Sequence, residues 1–169
     1  MAKCRAKIGN REVDLQNYIL ESIRIAVDRA AEKSVEFLAR YIEENWYGKY
    51  DPKRYERTMD FLRSASKTET TVSGRGNNYV VCMIYFDTSK IIPRYYGPGR
   101  LNAHADKDGN SVAKFLPNLI ENGAWFYGRG KTTGLGSMEA TIKMLERDYP
   151  KMVENELKKM GLPLSVRMK

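Results

Sequence analysis

From Asp14 to Trp46 the apolar residues recur at helical spacing, with no proline or glycine to interrupt them. Leu15, Tyr18, Ile19, Ile23, Ala26, Val27, Ala30, Val35, Leu38, Tyr41, Ile42 and Trp46 fall on one face of a 3.6-residue helix, sustained for roughly nine turns. Small residues crowd its centre (Ala26, Ala30, Ala31, Ser34), which lets another element come close. The stripe has no strict two-position seam, so it argues against a coiled coil. It predicts a long helix lying across a sheet, and the rest of the chain must supply that surface.

Gly48 is placed to end this helix, and Asp51-Pro52 disfavours its continuation because a residue before proline is pushed out of helical geometry. A short helix is expected around Arg57 to Ala65. The period then changes. Thr68, Thr70, Thr71 and Val72 suit a strand, Ser73 to Asn78 is dense in turn formers, and Tyr79 to Asp87 is an apolar run that reads as a central strand. Together they predict a hairpin. Residues 88–110 are irregular and glycine-rich, a length that in a compact domain marks a functional or mobile loop. Ser111 is positioned to cap a short helix reaching Asn122, which Pro117 would kink or interrupt. Residues 123–136 form a second extended stretch. Ser137 opens a last helix to Met160, stopped by Gly161 and Pro163, with a kink or break expected at Pro150 and a short edge strand at Leu164 to Met168. The fold class is therefore α+β: a long amino-terminal helix packed on a small antiparallel sheet, with short helices and a carboxy-terminal helix. With 169 residues a single domain spanning 1–169 is expected, its first ten residues forming a flexible basic arm.

Charge and composition narrow the function. No apolar run approaches the ~18 residues of a membrane span, and the opening MAKCRAKIGN lacks the apolar stretch of a signal peptide, which predicts cytosolic synthesis and no membrane partner. The net charge of +8 favours acidic partners, yet acids interleave with bases: residues 129–169 carry nine bases against five acids. That pattern marks solvated helix faces and points to non-specific proximity to nucleic acid, not sequence readout.

Nothing in the chain assembles a catalytic constellation. Gly128 to Thr133, GRGKTT, has Trp125 where a phosphate loop requires its first glycine, and no buried strand leads into it. His104 is the single histidine, flanked by Asp106 and Asp108 in a turn-forming stretch, too few ligands for a metal site and without a second histidine for nucleophile activation. An acid-based hydrolase would need Glu43, Asp87 and Asp106 to converge. Cys4 and Cys82 are too few for a disulfide or metal framework, and Cys82 suits a small buried thiol. The expectation is no enzymatic activity, no cofactor and no metal.

The stretch Trp46 to Ser64, WYGKYDPKRYERTMDFLRS, is more informative. It places Tyr47, Tyr50 and Tyr55 with Lys53, Arg54, Arg57 and Arg63 in a helix-to-helix connection. Aromatic and arginine side chains together are what interface centres favour. Tyr50, Pro52, Arg54, Tyr55, Arg57 and Thr58 are the assembly candidates here, and Trp125, Tyr127 and Arg129 of the second glycine-rich stretch join them. Arg57 is expected to engage a carboxylate or backbone carbonyls, and Thr58 to cap the short helix that follows.

These residues also carry a resemblance. The long helix followed by Tyr50-Asp51-Pro52-Lys53-Arg54-Tyr55-Glu56-Arg57-Thr58, then Phe61-Leu62 and a strand ending in Phe86-Asp87, resembles the tail-completion or head–tail joining proteins of long-tailed bacteriophages, often labelled minor capsid or minor tail proteins. The Leu119 to Gly123 turn and the close at Lys159-Met160-Gly161 are similar too, so the likeness spans roughly 12–165; the 88–110 and 128–136 segments depart from it. The resemblance implies a structural virion protein at the neck, made in the bacterial host cytoplasm, that forms a homo-oligomeric ring, six-fold, joining the connector to the tail tube. It implies connector or stopper and tail-tube or tail-terminator proteins as neighbours, with non-specific contact to genomic DNA in the lumen. The alternative from the residues alone is a basic, non-specific nucleic-acid-binding module.

Overall fold

The computed structural model describes residues 5–8, 11–49, 59–73, 79–93, 110–123, 125–126, 130–131 and 133–167. The architecture is α+β, a long amino-terminal helix with small antiparallel sheets, short helices and a carboxy-terminal helix. Helix α1 runs Leu15–Ile42 and continues into a wider, π-type turn at Glu43–Tyr47. Along α1, Ser22, Ala26, Ala30, Ser34, Leu38 and Ile42 are all buried. They recur every fourth residue, the inclined row by which helices fit ridges into grooves. The row is small-residued at first and large at the end.

The chain forms two compact units, one of residues 1–33, 68–83 and 144–169, the other of residues 34–67 and 84–143. In the first, Ala26 and Ala30 of α1 pack with Val153 and Leu157 of helix α4, Ser137–Lys159, flanked by Ile23, Val27, Tyr149 and Met152. Alanines on one helix admit the larger side chains of the other. Helix α4 continues through Pro150, so of the kink or break expected there the break does not occur. It ends as expected: Gly161 takes φ 78°, the Leu162 N–H donates to Leu157 O at 3.0 Å and the Gly161 N–H to Lys158 O at 3.0 Å. This paired closure needs a left-handed residue, which glycine provides without a steric penalty. The segment after it is not the expected edge strand. Val166 instead packs back on α4, and its N–H donates to Glu154 Oε1 at 2.9 Å.

In the second unit, Leu38 and Ile42 are fully buried with Phe61, Ala65, Ile91, Ala113, Leu116 and Ile120. Helix α2 spans Asp60–Ser64 and helix α3 Leu116–Asn122. Pro117 lies in the first turn of α3, where its missing N–H has no intrahelical acceptor to lose, so it starts the helix and does not interrupt it.

Four two-stranded antiparallel ladders form among the described residues. Residues 5–14, assigned largely to an arm by the sequence, contain β1 (Arg5–Ile8) paired with β2 (Arg11–Asp14). The expected hairpin is present but divided. β3 (Ala65–Lys67) pairs with β6 (Ile84–Phe86), and β4 (Thr71–Ser73) pairs with β5 (Tyr79–Val81). Between the ladders Thr68, Glu69 and Thr70 stand opposite only Cys82 and Met83, a bulge of one extra residue. The Tyr79–Phe86 run is not a strand buried on both faces. Tyr79, Val81, Met83 and Tyr85 are exposed, while Val80, Cys82, Ile84 and Phe86 are half-buried. The alternation along the partner strand is unbroken, so the extra residue changes which positions of the first strand stand opposite its half-buried residues, from Ala65 and Lys67 to Val72.

The helix-on-hairpin packing expected of α1 needs revision at one end. Ile19, placed on the packed face by its spacing, is exposed, and Ile23 and Val27 pack with α4. Leu38 and Ile42 belong to the cluster against which Ile84 packs.

Candidate functional site

The tyrosine-rich connection is held at both ends by the core of the second unit. On the entry side, Trp46 and Tyr47 pack against the Leu38, Ile42 and Phe61 cluster. The wide turn that presents them is closed by the Gly48 N–H, which donates to Glu43 O at 2.7 Å. A π-type turn rotates the residues beyond it relative to a regular helix, a feature often found where a chain must aim side chains. Gly48 has φ −67°, so its role is space and not a left-handed backbone: a Cβ there would meet the Glu44 carbonyl at 2.8 Å. Asn45 Nδ2 donates to Tyr41 O at 3.0 Å, and Lys49 Nζ to Asn45 Oδ1 at 3.0 Å, which ties the exposed start of the connection to the helix.

On the exit side the chain re-enters through Met59, the one described non-glycine residue with a left-handed backbone (φ 58°, ψ 14°). It occupies the cap position of α2 without a side-chain cap. Asp60 follows, 2% exposed, and its Oδ2 accepts the Ile92 N–H at 3.3 Å. Arg63 Nη1 lies 3.9 Å from Asp60 Oδ1. Ser64 O accepts the Asp87 N–H at 2.7 Å, and the Phe61 and Phe86 rings pack tilted by 30° with centroids 5.0 Å apart. Both stubs are therefore rooted in a packed, hydrogen-bonded frame.

Of the assembly candidates, Tyr50, Pro52, Arg54, Tyr55, Arg57 and Thr58 lie outside the described residues, as do Tyr127 and Arg129. The backbone of Trp125 is in β7 (Trp125–Phe126), paired with β8 (Gly130–Lys131) so that Trp125 stands opposite Lys131. The frame of the first group is thus defined, and of the second group the Trp125 backbone lies in a short ladder where the sequence predicts an extended loop. Sequence reasoning missed Met59, since methionine gives no signal for a left-handed residue. It also missed Glu121, whose Oε2 accepts the Met138 N–H at 2.9 Å and whose Oε1 accepts from the Ser137 hydroxyl, so that a carboxylate from α3 closes the first turn of α4. Ser137 opens α4 as expected, but as a donor to this distant cap.

The same unit exposes Phe115 and Leu119, four residues apart at the start of α3, together with Ile92 and Tyr85. Among the described residues no group of three or more His, Cys, Asp or Glu is placed to hold a metal ion, and no helix is long and apolar enough to cross a membrane. Of the three acids a hydrolase would need, Asp87 accepts from the Ser89 hydroxyl at 2.6 Å and the Ser89 N–H at 3.1 Å, which lowers its pKa and caps the turn Thr88–Lys90. Glu43 is exposed, and Asp106 lies outside the described residues, as does His104.

Residues 12–160 match the model of the YomN family. No curated protein and no solved structure matches the chain.

Proposed function

The chain belongs to the YomN family, a phage-derived (Bacillus SPbeta-type) family, and from that premise we propose that it is a structural virion protein of the neck, where head and tail join. In this reading its subunits close a six-fold ring between the connector and the tail tube, and the protein carries out no chemical step. The observation that carries the reading is the rooted connection. Trp46 and Tyr47 on one side and buried Asp60 on the other hold the ends of a short segment that contains Tyr50, Arg54, Tyr55 and Arg57. A rigid frame lowers the entropy lost when such a segment meets a neighbouring subunit. The exposed Phe115, Leu119, Ile92 and Tyr85 add apolar surface to the same unit.

The test is direct. Mass spectrometry of purified particles should find the protein, and electron microscopy of the isolated chain or of necks should find rings. Arg57→Ala should leave the monomer folded by circular dichroism while weakening rings or giving tailless particles. Absence of the protein from purified particles would overturn the reading. The charge of +8 favours a second reading, a basic module that contacts nucleic acid without sequence preference. A chain that stays monomeric and is missing from particles, yet binds DNA, would favour it.

A further inference from the structure

The first unit contains a cation cluster that the assembly candidates do not include. Glu156 of α4 is only 3% exposed, and three cations converge on it. Lys33 Nζ of α1 lies 2.7 Å and Lys159 Nζ of α4 2.8 Å from the same oxygen, Oε1. Arg29 Nη1 of α1 lies 3.3 Å from the other oxygen, Oε2. Three positive groups against one carboxylate leave a formal excess of +2.

Two features make this more than an ion-pair latch. The carboxylate is buried, whereas the cation side chains are 50%, 46% and 64% exposed for Arg29, Lys33 and Lys159. Their remaining donors therefore reach solvent. An ammonium has three N–H donors and a guanidinium five, and one carboxylate cannot take them all. Moreover, two ammonium groups meeting on one oxygen repel each other, a repulsion that a second anion on the solvent side would relieve. Glu156 thus acts as an internal strut that gathers three cations from two helices and turns their outer faces to solvent. A tetrahedral oxyanion presents several acceptor oxygens and matches that face.

We infer that Arg29, Lys33 and Lys159, gathered on Glu156, form a phosphate-binding site. The phosphate is either free in solution or part of a nucleic-acid backbone, and all four residues belong to one unit of one chain. The full chain is titrated separately with inorganic phosphate and with a short DNA duplex at several salt concentrations. The K33Q/K159Q protein, which keeps Arg29 on Glu156, is titrated in parallel. Duplex binding that falls roughly tenfold in the variant, with the slope of log affinity against log salt reduced by about 2, assigns the site to backbone phosphates. Saturable phosphate binding that the variant loses, with no gain for the duplex, assigns it to free phosphate. Wild-type protein that binds neither, or a variant that binds both like wild type, overturns the proposal. K159Q alone changes the most exposed of the three side chains and leaves two cations on Glu156. Should the double variant fail to fold, a slope reduced by about 1 in this single variant supports the site and an unchanged slope removes it.

Discussion

The Thr70 hydroxyl donates to Asp28 Oδ1 at 2.5 Å, which fastens the bulge of the hairpin to the middle of α1. Thr70 is 2% exposed and is the last of the three residues that face Cys82 and Met83. At the first of them the Thr68 N–H donates to Met83 O at 2.8 Å, and Thr68 Oγ1 accepts the Met83 N–H at 3.0 Å. The bulge is therefore hydrogen-bonded on both sides. Thr70→Val keeps the side chain's size and removes only its donor. It should destabilise the protein by about 1–2 kcal/mol, as for one buried hydrogen bond to a charged acceptor. Urea unfolding checks this: the midpoint should fall with the slope unchanged, and an unshifted midpoint would show that the bond adds nothing.

Acid should loosen the first unit through Glu156. Hydrogen bonds from Lys159 and then Lys33 lower its pKa from 4.5 to about 2. A depressed carboxylate contributes stability above its unfolded pKa and loses it as pH falls through the folded one. Its contribution is thus complete above about pH 5 and drains away down to about pH 2. Glu156→Gln should cost about 1–2 kcal/mol at neutral pH, a figure kept small because the cations are half-exposed. It should also flatten the melting temperature against pH in that window; an equally steep profile in the variant would place the acid sensitivity elsewhere.

Met59 tests the exit from the connection. A left-handed backbone is unfavourable by roughly 1–2 kcal/mol for a residue with a Cβ, and it is worse for a β-branched one. Met59→Gly should therefore range from neutral to about 1 kcal/mol more stable, because relief of strain is partly offset by a looser unfolded chain. Met59→Val should lose at least about 1 kcal/mol. The reverse order in thermal melts would mean that the backbone is not left-handed at this position.

Two substitutions on α1 separate a covered face from an uncovered one. Leu38 is fully buried, and Leu38→Asp should cost several kcal/mol, as an unpaired charge in a core does, and abolish soluble expression. Ile19 is 37% exposed, and Ile19→Asp should change stability by no more than about 1 kcal/mol. Similar losses at both positions would show that the start of the helix is covered as well.

Helix α1 was legible from its residues because its signal is local. Twenty-eight residues without proline or glycine, with an apolar stripe, define a helix wherever it lies. The stop at Gly161 was legible for the same reason, since a left-handed residue at a helix end is a nearest-neighbour demand. The frame of the candidate site was only half legible. The aromatic and basic residues announced themselves by type, but the wide turn before Gly48 and the left-handed Met59 have no counterpart in composition.

The sequence by itself determined which residues share a face, the two ends of α4 at Ser137 and Gly161, and the chain's α+β class, all consequences of periodicity and turn chemistry. Only the tertiary structure decided what covers each face. Ile19 carries the same spacing signal as Ile23, yet one is exposed and the other packs with α4, because a period says nothing about what lies opposite it. The partners of Glu156 on α1 are 123 and 127 residues away in the chain, and the bulge at Thr68 to Thr70 emerges only when two strands are set side by side. Those choices depend on contacts between segments far apart in sequence, and they come into being when the chain closes on itself.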